Sequence, residues 1–201
     1  MTYRRKDAYH RRAQAAGYRA RSAYKLADLD RRYRLLGRGH RVVDLGAWPG
    51  GWLQVAAERV GPEGRLVGVD LAPIDPLPVA NVVLLVGDAL DPAIHAAIRT
   101  ALGGPADVVL SDLAPKLTGV RVTDEARVEA LAEGVVAALP SLLAPGGKLL
   151  LKTFMGPGFA ALRTSLRARF ARVDTTRPAA TRPGSSELYV VAAGHRGDAV
   201  G

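Results

Sequence analysis

"RVVDLGAWPGGW", residues 41–52, is the stretch on which the reading of the fold turns. Val42 and Val43 belong to a short apolar strand, residues 41–46, and "GWLQVAAERV" that begins at Gly51 reads as a helix. Between the two, Gly46, Gly50 and Gly51 permit positive φ or close approach of the backbone. The spacing G-x-x-x-G-G is not the G-x-G-x-x-G of a dinucleotide site, and no Gly-Lys-Ser/Thr follows to make a Walker loop. By itself such a loop suits an empty βα turn as well as a ligand cradle.

Outward from this loop the pattern repeats. Strands are expected at 65–70, 82–88, 106–112, 147–152 and 187–194, and helices at 91–102, 124–143 and 158–170. Val128, Leu131, Val135, Leu139 and Leu142 form the apolar stripe of the 124–143 helix. Upstream, residues 4–16 have helical propensity. A second helix is expected to start at Ser22, a good N-cap residue, and to stop at Gly37 and Gly39. Short Val/Leu-rich strands alternating with helices give the doubly wound α/β class, a mostly parallel sheet covered on both faces. One structural domain accounts for the whole: basic helices over 1–36, the α/β body over 37–196 and a flexible tail over 197–201.

Ligands of such sheets bind beyond the carboxyl ends of the strands. Asp44, Asp70, Asp88, Asp112 and Lys152 stand at five of those ends. A carboxylate about 20 residues beyond the loop suits a ribose hydroxyl pair, which assigns Asp70. Asp88 can accept from an adenine amino group. An adenosine pocket without a phosphate cradle points to S-adenosylmethionine rather than ATP or NAD.

"GGKLLLKTF" (146–154) carries the second clue, because Lys152 follows three leucines directly. Either the ammonium escapes to water along its stem or it has a task at the strand end. Topology offers the task. Asp112 and Lys152 end parallel strands on one edge of the sheet, and Glu187 starts the last strand, which returns to that edge if it runs antiparallel. Lys25 sits in the first turn of its helix, where a cation opposes the helix dipole. Each residue alone has an ordinary alternative: an exposed helix lysine, a turn cap at Asp112, an edge-strand charge at Glu187.

Composition bounds the rest. The chain has 201 residues, 48% of them hydrophobic and 23% charged, which suits one globular domain. Cysteine is absent and the four histidines are scattered, so no thiolate chemistry and no metal centre is expected. No apolar run spans a membrane and the N-terminus lacks an apolar signal core, which makes the cytoplasm the expected location. The net charge of +9 is uneven: residues 1–41 hold 13 Lys and Arg against 3 Asp and Glu, the remainder 15 against 16. A second basic cluster comprises Arg163, Arg167, Arg169, Arg172, Arg177 and Arg182. Two basic segments favour a polyanion, with nucleic acid the usual candidate. Tyr18, Tyr24 and Tyr33 are candidates to stack on a flipped base, with ordinary packing as the alternative.

"DLGAWPGGW" (44–52), "SDLAP" (111–115) and "GYRARSAYKL" (17–26) together resemble the FtsJ/RrmJ family of RNA 2′-O-ribose methyltransferases over residues 9–194. The resemblance implies a Rossmann-like methyltransferase fold with a seven-stranded sheet and an antiparallel last strand. It implies S-adenosylmethionine as cofactor, held by Gly50, Trp52, Asp70, Asp88 and Asp112, to which the glycine turn adds Gly46 and Gly51 as expected contacts. It also implies a catalytic tetrad of Lys25, Asp112, Lys152 and Glu187. The expected substrate is a uridine of 23S rRNA in the large ribosomal subunit, and the expected enzyme a monomer with no obligate protein partner. Trp48 departs from the family, which more often has a small residue there. Methyl transfer to a 2′-hydroxyl needs alignment at ~3–3.5 Å and a proton acceptor. A lysine of ordinary pKa ~10.4 is a poor base, but burial and neighbouring cations favour its neutral amine, so Lys152 is the expected base and Lys25 steers the hydroxyl. Alternatives are a methyltransferase of tRNA or of an mRNA cap, and a ribosome-assembly factor without catalysis; the glycine spacing disfavours a nucleotide-dependent oxidoreductase.

Overall fold

The computed structural model describes residues 11–115, 118–178, 181 and 186–197, with backbone alone at 121. In chain order the elements are α1 (Ala23–Tyr33), β1 (Arg41–Leu45), α2 (Gly51–Val60), β2 (Arg65–Asp70), β3 (Val82–Val86), α3 (Pro92–Leu102), β4 (Ala106–Ser111), α4 (Arg121–Leu142), β5 (Leu143–Phe154), α5 (Phe159–Arg169), β6 (Phe170–Thr176) and β7 (Glu187–His195). The seven strands lie in the order β3-β2-β1-β4-β5-β7-β6. Pairing is parallel from β3 through β5, and β7 runs antiparallel to both β5 and β6. The expected reversal of the last strand is therefore present.

Alternation along the strands sorts the core into two layers. Leu149 and Leu151 join Val135, Leu139, Leu162 and Leu166 beneath α4 and α5. Leu150 joins Leu26, Leu29, Trp52, Leu53 and Tyr189 beneath α1 and α2. α1 is tied to α2 by the Arg59–Asp30 ion pair, Nε to Oδ2 at 3.2 Å. Asp91 caps α3 by accepting from Ala93 N–H, with Pro92 in its first turn.

Several boundaries differ from the sequence expectation. Ser22 places no side-chain bond on α1; its carbonyl instead accepts from Trp52 Nε1 at 2.9 Å. α1 stops at Tyr33 because Arg34 adopts a left-handed conformation, φ 51°, before either expected glycine is reached. β5 begins at Leu143 rather than 147, with a bulge between its first pairing, to Ala106, and the regular run from Lys148. β6 was not expected as a strand. "FARVDTT" mixes charge into the strand, and only its pairing with β7 organises it. The start of the helix expected over 4–16 lies outside the described residues, as do Arg182 and residues 198–201; residues 11–15 are helical.

Candidate active site

The four charged residues expected at the sheet edge meet there in two ion pairs. Lys25 Nζ lies 2.5 Å from Glu187 Oε1. Lys152 Nζ lies 3.0 Å from Asp112 Oδ1 and donates to the Asp112 carbonyl at 2.5 Å. Both ammonium groups are nearly shielded, with side-chain exposures of 9% for Lys25 and 8% for Lys152. Neither lysine escapes to water. The elements explain the meeting. Asp112 follows β4 directly, Lys152 lies on the neighbouring β5, and β7 places Tyr189 opposite Lys152 and Glu187 opposite Phe154. Lys25 descends from the first turn of α1, where Glu187 offsets the unfavourable dipole.

Tyr189 joins the two pairs and was missed in the sequence. Its ring is fully buried, its hydroxyl donates to Asp112 Oδ1 at 3.1 Å, and it accepts from Lys25 Nζ at 3.4 Å. Burial, with the carboxylates of Asp112 and Glu187 nearby, pushes the phenol far above its ordinary value, so it stays protonated. The available signal was its place two residues after Glu187, on the same strand face.

The loop of residues 46–51 lies beside this cluster. Gly46 has φ +81°, and a Cβ there would stand 2.9 Å from the Leu113 side chain and 3.1 Å from its backbone nitrogen. The loop thus touches the segment after β4. Gly50 has φ +105°, and a Cβ on Gly51 would press on Ala20 at 3.1 Å. Trp52 is buried with its indole committed to Ser22 and to the Tyr189 ring, 6.0 Å away between centroids. Arg19, a further residue not singled out from sequence, donates to the Pro49, Asp75 and Pro76 carbonyls and so clamps the loop. Asp70 accepts Trp48 N–H and Ala72 N–H, one on each oxygen, which leaves each oxygen a second lone pair. Asp88 is exposed beyond β3 and accepts Leu90 N–H on Oδ1.

Asp44, at the end of β1, carries no role in the sequence reading. It is 1% exposed, and neither carboxylate oxygen has a hydrogen-bond partner; Ser111 Oγ on the adjacent strand is likewise buried and unpartnered. Burial, then the nearby Asp112 and Asp70 carboxylates, raise its pKa well above the ordinary range. Three acids thus converge at the heads of β1, β2 and β4. Such a site repels phosphate and suits a ligand bearing cationic groups.

The tyrosines proposed to stack are engaged within the protein. Tyr18 packs edge-on against Tyr24 at 5.6 Å and donates to Glu58, while Arg32 covers Tyr33.

This strand order, with one antiparallel strand inserted beside an otherwise parallel sheet and an acid-rimmed glycine loop after β1, defines the class of Rossmann-like methyltransferases. Within that class the chain belongs to the FtsJ-like methyltransferase family, whose profile matches residues 18–195. It is 47% identical, over 96% of its length and 84% of the relative's, to ribosomal RNA large subunit methyltransferase E of Acidiphilium cryptum. Among solved structures, a ribosomal RNA methyltransferase of Plasmodium falciparum superposes with a TM-score of 0.79 at 28% identity, covering 90% of this chain and 100% of the other. The S-adenosyl-L-methionine complex of Aeropyrum pernix fibrillarin shares the fold, with a TM-score of 0.60 at 20% identity over 85% of this chain and 76% of that one.

Proposed function

We propose that the protein transfers a methyl group from S-adenosylmethionine to a ribose 2′-hydroxyl of large-subunit ribosomal RNA, a uridine of 23S rRNA in particular, and that it does so in the cytoplasm. The observation that carries the proposal is the pair of Lys–acid contacts joined through Tyr189 at the sheet edge. The name of the Acidiphilium relative supports the substrate class.

The residues fit the cofactor. The orphaned Asp44 carboxylate, with Asp112 near it, suits the cationic methionine end. Asp70 would hold the ribose, Asp88 the adenine amino group, and the Gly46–Gly51 turn would let the molecule approach the backbone. When bound, S-adenosylmethionine supplies an electrophilic methyl carbon on a good leaving group. The protein's own task is to orient the RNA hydroxyl and take its proton. Lys152, as its neutral amine, is assigned the proton and Lys25 the orientation, while Asp112 and Glu187 fix the two side chains and Tyr189 bridges Asp112 and Lys25. Residues 1–36 and the exposed arginines Arg167, Arg172 and Arg177 would grip RNA phosphates.

Labelled cofactor incubated with separated rRNA and tRNA, free and in assembled subunits, tests the activity: one methylated ribose in large-subunit rRNA is expected, and label confined to tRNA would overturn the substrate. Lys152→Ala should abolish transfer with cofactor affinity nearly unchanged. Lys152→Arg separates charge from proton transfer, because arginine keeps the charge but does not give up its proton. It should lose at least about a hundredfold in kcat, within the range of general-base catalysis. Retained turnover in either variant removes Lys152 from the role.

A further inference from the structure

Behind the strand that carries Lys152 lies a cavity of about 420 Å³ that the methyl-transfer site does not use. Its wall includes Thr153, Phe154, Met155 and Gly156, the residues that directly follow Lys152, and Ser186, the residue before Glu187. Alternation puts Thr153 on the sheet face opposite to Lys152, so the cavity opens around the corner of the same edge. Val128, Ala132 and Phe154 line both this cavity and the small cleft that reaches Lys152. The two sites are therefore separated by one layer of side chains.

The chemistry of the cavity is mixed in a specific way. Phe154, Phe159 and Leu162 supply an apolar floor and Met155, 59% exposed, stands at the mouth. Glu125, Glu129 and Glu133 line the α4 side at four-residue intervals. Like charges at that spacing oppose the helix that bears them, and locally unfavourable choices collect where function is served. Glu129 is also held in place, accepting Gly158 N–H at 2.7 Å; a Cβ on Gly158 would collide with its carboxylate at 2.6 Å. In a chain of net charge +9, this acidic wall turns phosphate away but accepts N–H donors.

We propose that the cavity takes a nucleobase of the RNA, a neighbour of the nucleotide whose ribose reaches Lys152. Its ring lies on the phenylalanines and its amino or imino edge faces Glu129 and Glu133. Bases unstacked from single-stranded RNA are read in this manner, by aromatic contact and hydrogen bonds to their edges, and the volume suits a small planar ligand. Guanine fits best, since its N1–H and amino group offer two parallel donors to one carboxylate. The inference rests on the RNA-methyltransferase reading and adds a second contact that would select sequence next to the modified ribose.

Two variants test it. Replacing Met155 with the photocrosslinker p-benzoylphenylalanine, in the presence of S-adenosylhomocysteine and the rRNA or subunit that the wild type methylates, should give an adduct within about two nucleotides of the methylated ribose, the reach of one unstacked base. Gly156→Leu plugs the cavity: Gly156 is not at positive φ, and a Cβ there meets only Glu129 Oε1 at 3.7 Å. It should lower kcat/KM for RNA by at least about tenfold, the discrimination carried by one good base contact, with cofactor affinity and melting temperature unchanged. An adduct solely on protein would assign the cavity to a basic side chain of a ribosomal protein instead. That result, an adduct at a distant nucleotide, or wild-type kcat/KM in Gly156→Leu overturns the proposal. Absence of methyl transfer by the wild type would be failure of the parent reading, and it is seen separately.

Discussion

Tyr189 makes four charges into one unit, since its hydroxyl is the shared partner of an acid and an amine that do not touch each other. Tyr189→Phe keeps the ring against Trp52 and removes that link. It should cost about 1 kcal/mol of stability, as for one buried hydrogen bond, and lower kcat by about tenfold or more, because the catalytic constellation depends on such support. Cofactor affinity should change little; a variant with wild-type kcat would show that the two ion pairs act independently. Asp44 gives a prediction of a different kind. Its folded-state pKa lies above the unfolded value, so folding is favoured most below about pH 4, the ordinary carboxyl range, and stability falls as pH rises towards the folded value. Asp44→Asn lacks that slope. Between pH 4 and pH 8 the cofactor-free variant should gain stability on the wild type. Urea unfolding at both pH values measures it, and parallel profiles would mean that Asp44 is satisfied in the folded state.

At the scale of elements, the turn between β1 and α2 is the piece whose shape the site needs most. Gly46 combines φ +81° with contact to the backbone of Leu113. Gly46→Ala should therefore cost about 1–2 kcal/mol for the left-handed conformation alone, and should weaken cofactor binding by moving the loop from the end of β4. Calorimetry with S-adenosylhomocysteine checks both; unchanged affinity would separate the loop from the pocket. The same scale shows what was legible. Strands rich in valine and leucine, β1, β2 and β4, were read nearly to the residue, because burial on both faces leaves a continuous apolar run. β6 was not, because it is an edge strand with charged residues and its strand character comes from β7. The end of α1 was misplaced because Arg34 takes a conformation usually left to glycine or asparagine.

Across the whole molecule, charge is segregated: the basic excess sits in residues 1–41 and acids cluster at the strand heads and along α4. RNA affinity should accordingly fall steeply with salt, by about 10³-fold or more between 50 and 200 mM if six or more phosphates are gripped. Filter binding of rRNA across that range checks this, and a flat response would mean that the basic segments are not the interface. The amino-acid sequence alone determined the alternation of strands and helices, the glycine turn, the charges at the strand ends and, through its motifs, the family. These are local or periodic properties, written in consecutive residues. Only the tertiary structure decided that Lys25 faces Glu187 while Lys152 faces Asp112, that Tyr189 stands between the pairs, and that Asp44 is buried without a partner. Those facts depend on strand order and on which face each strand turns inward, contacts between residues as far apart as 25 and 187 that no local pattern encodes.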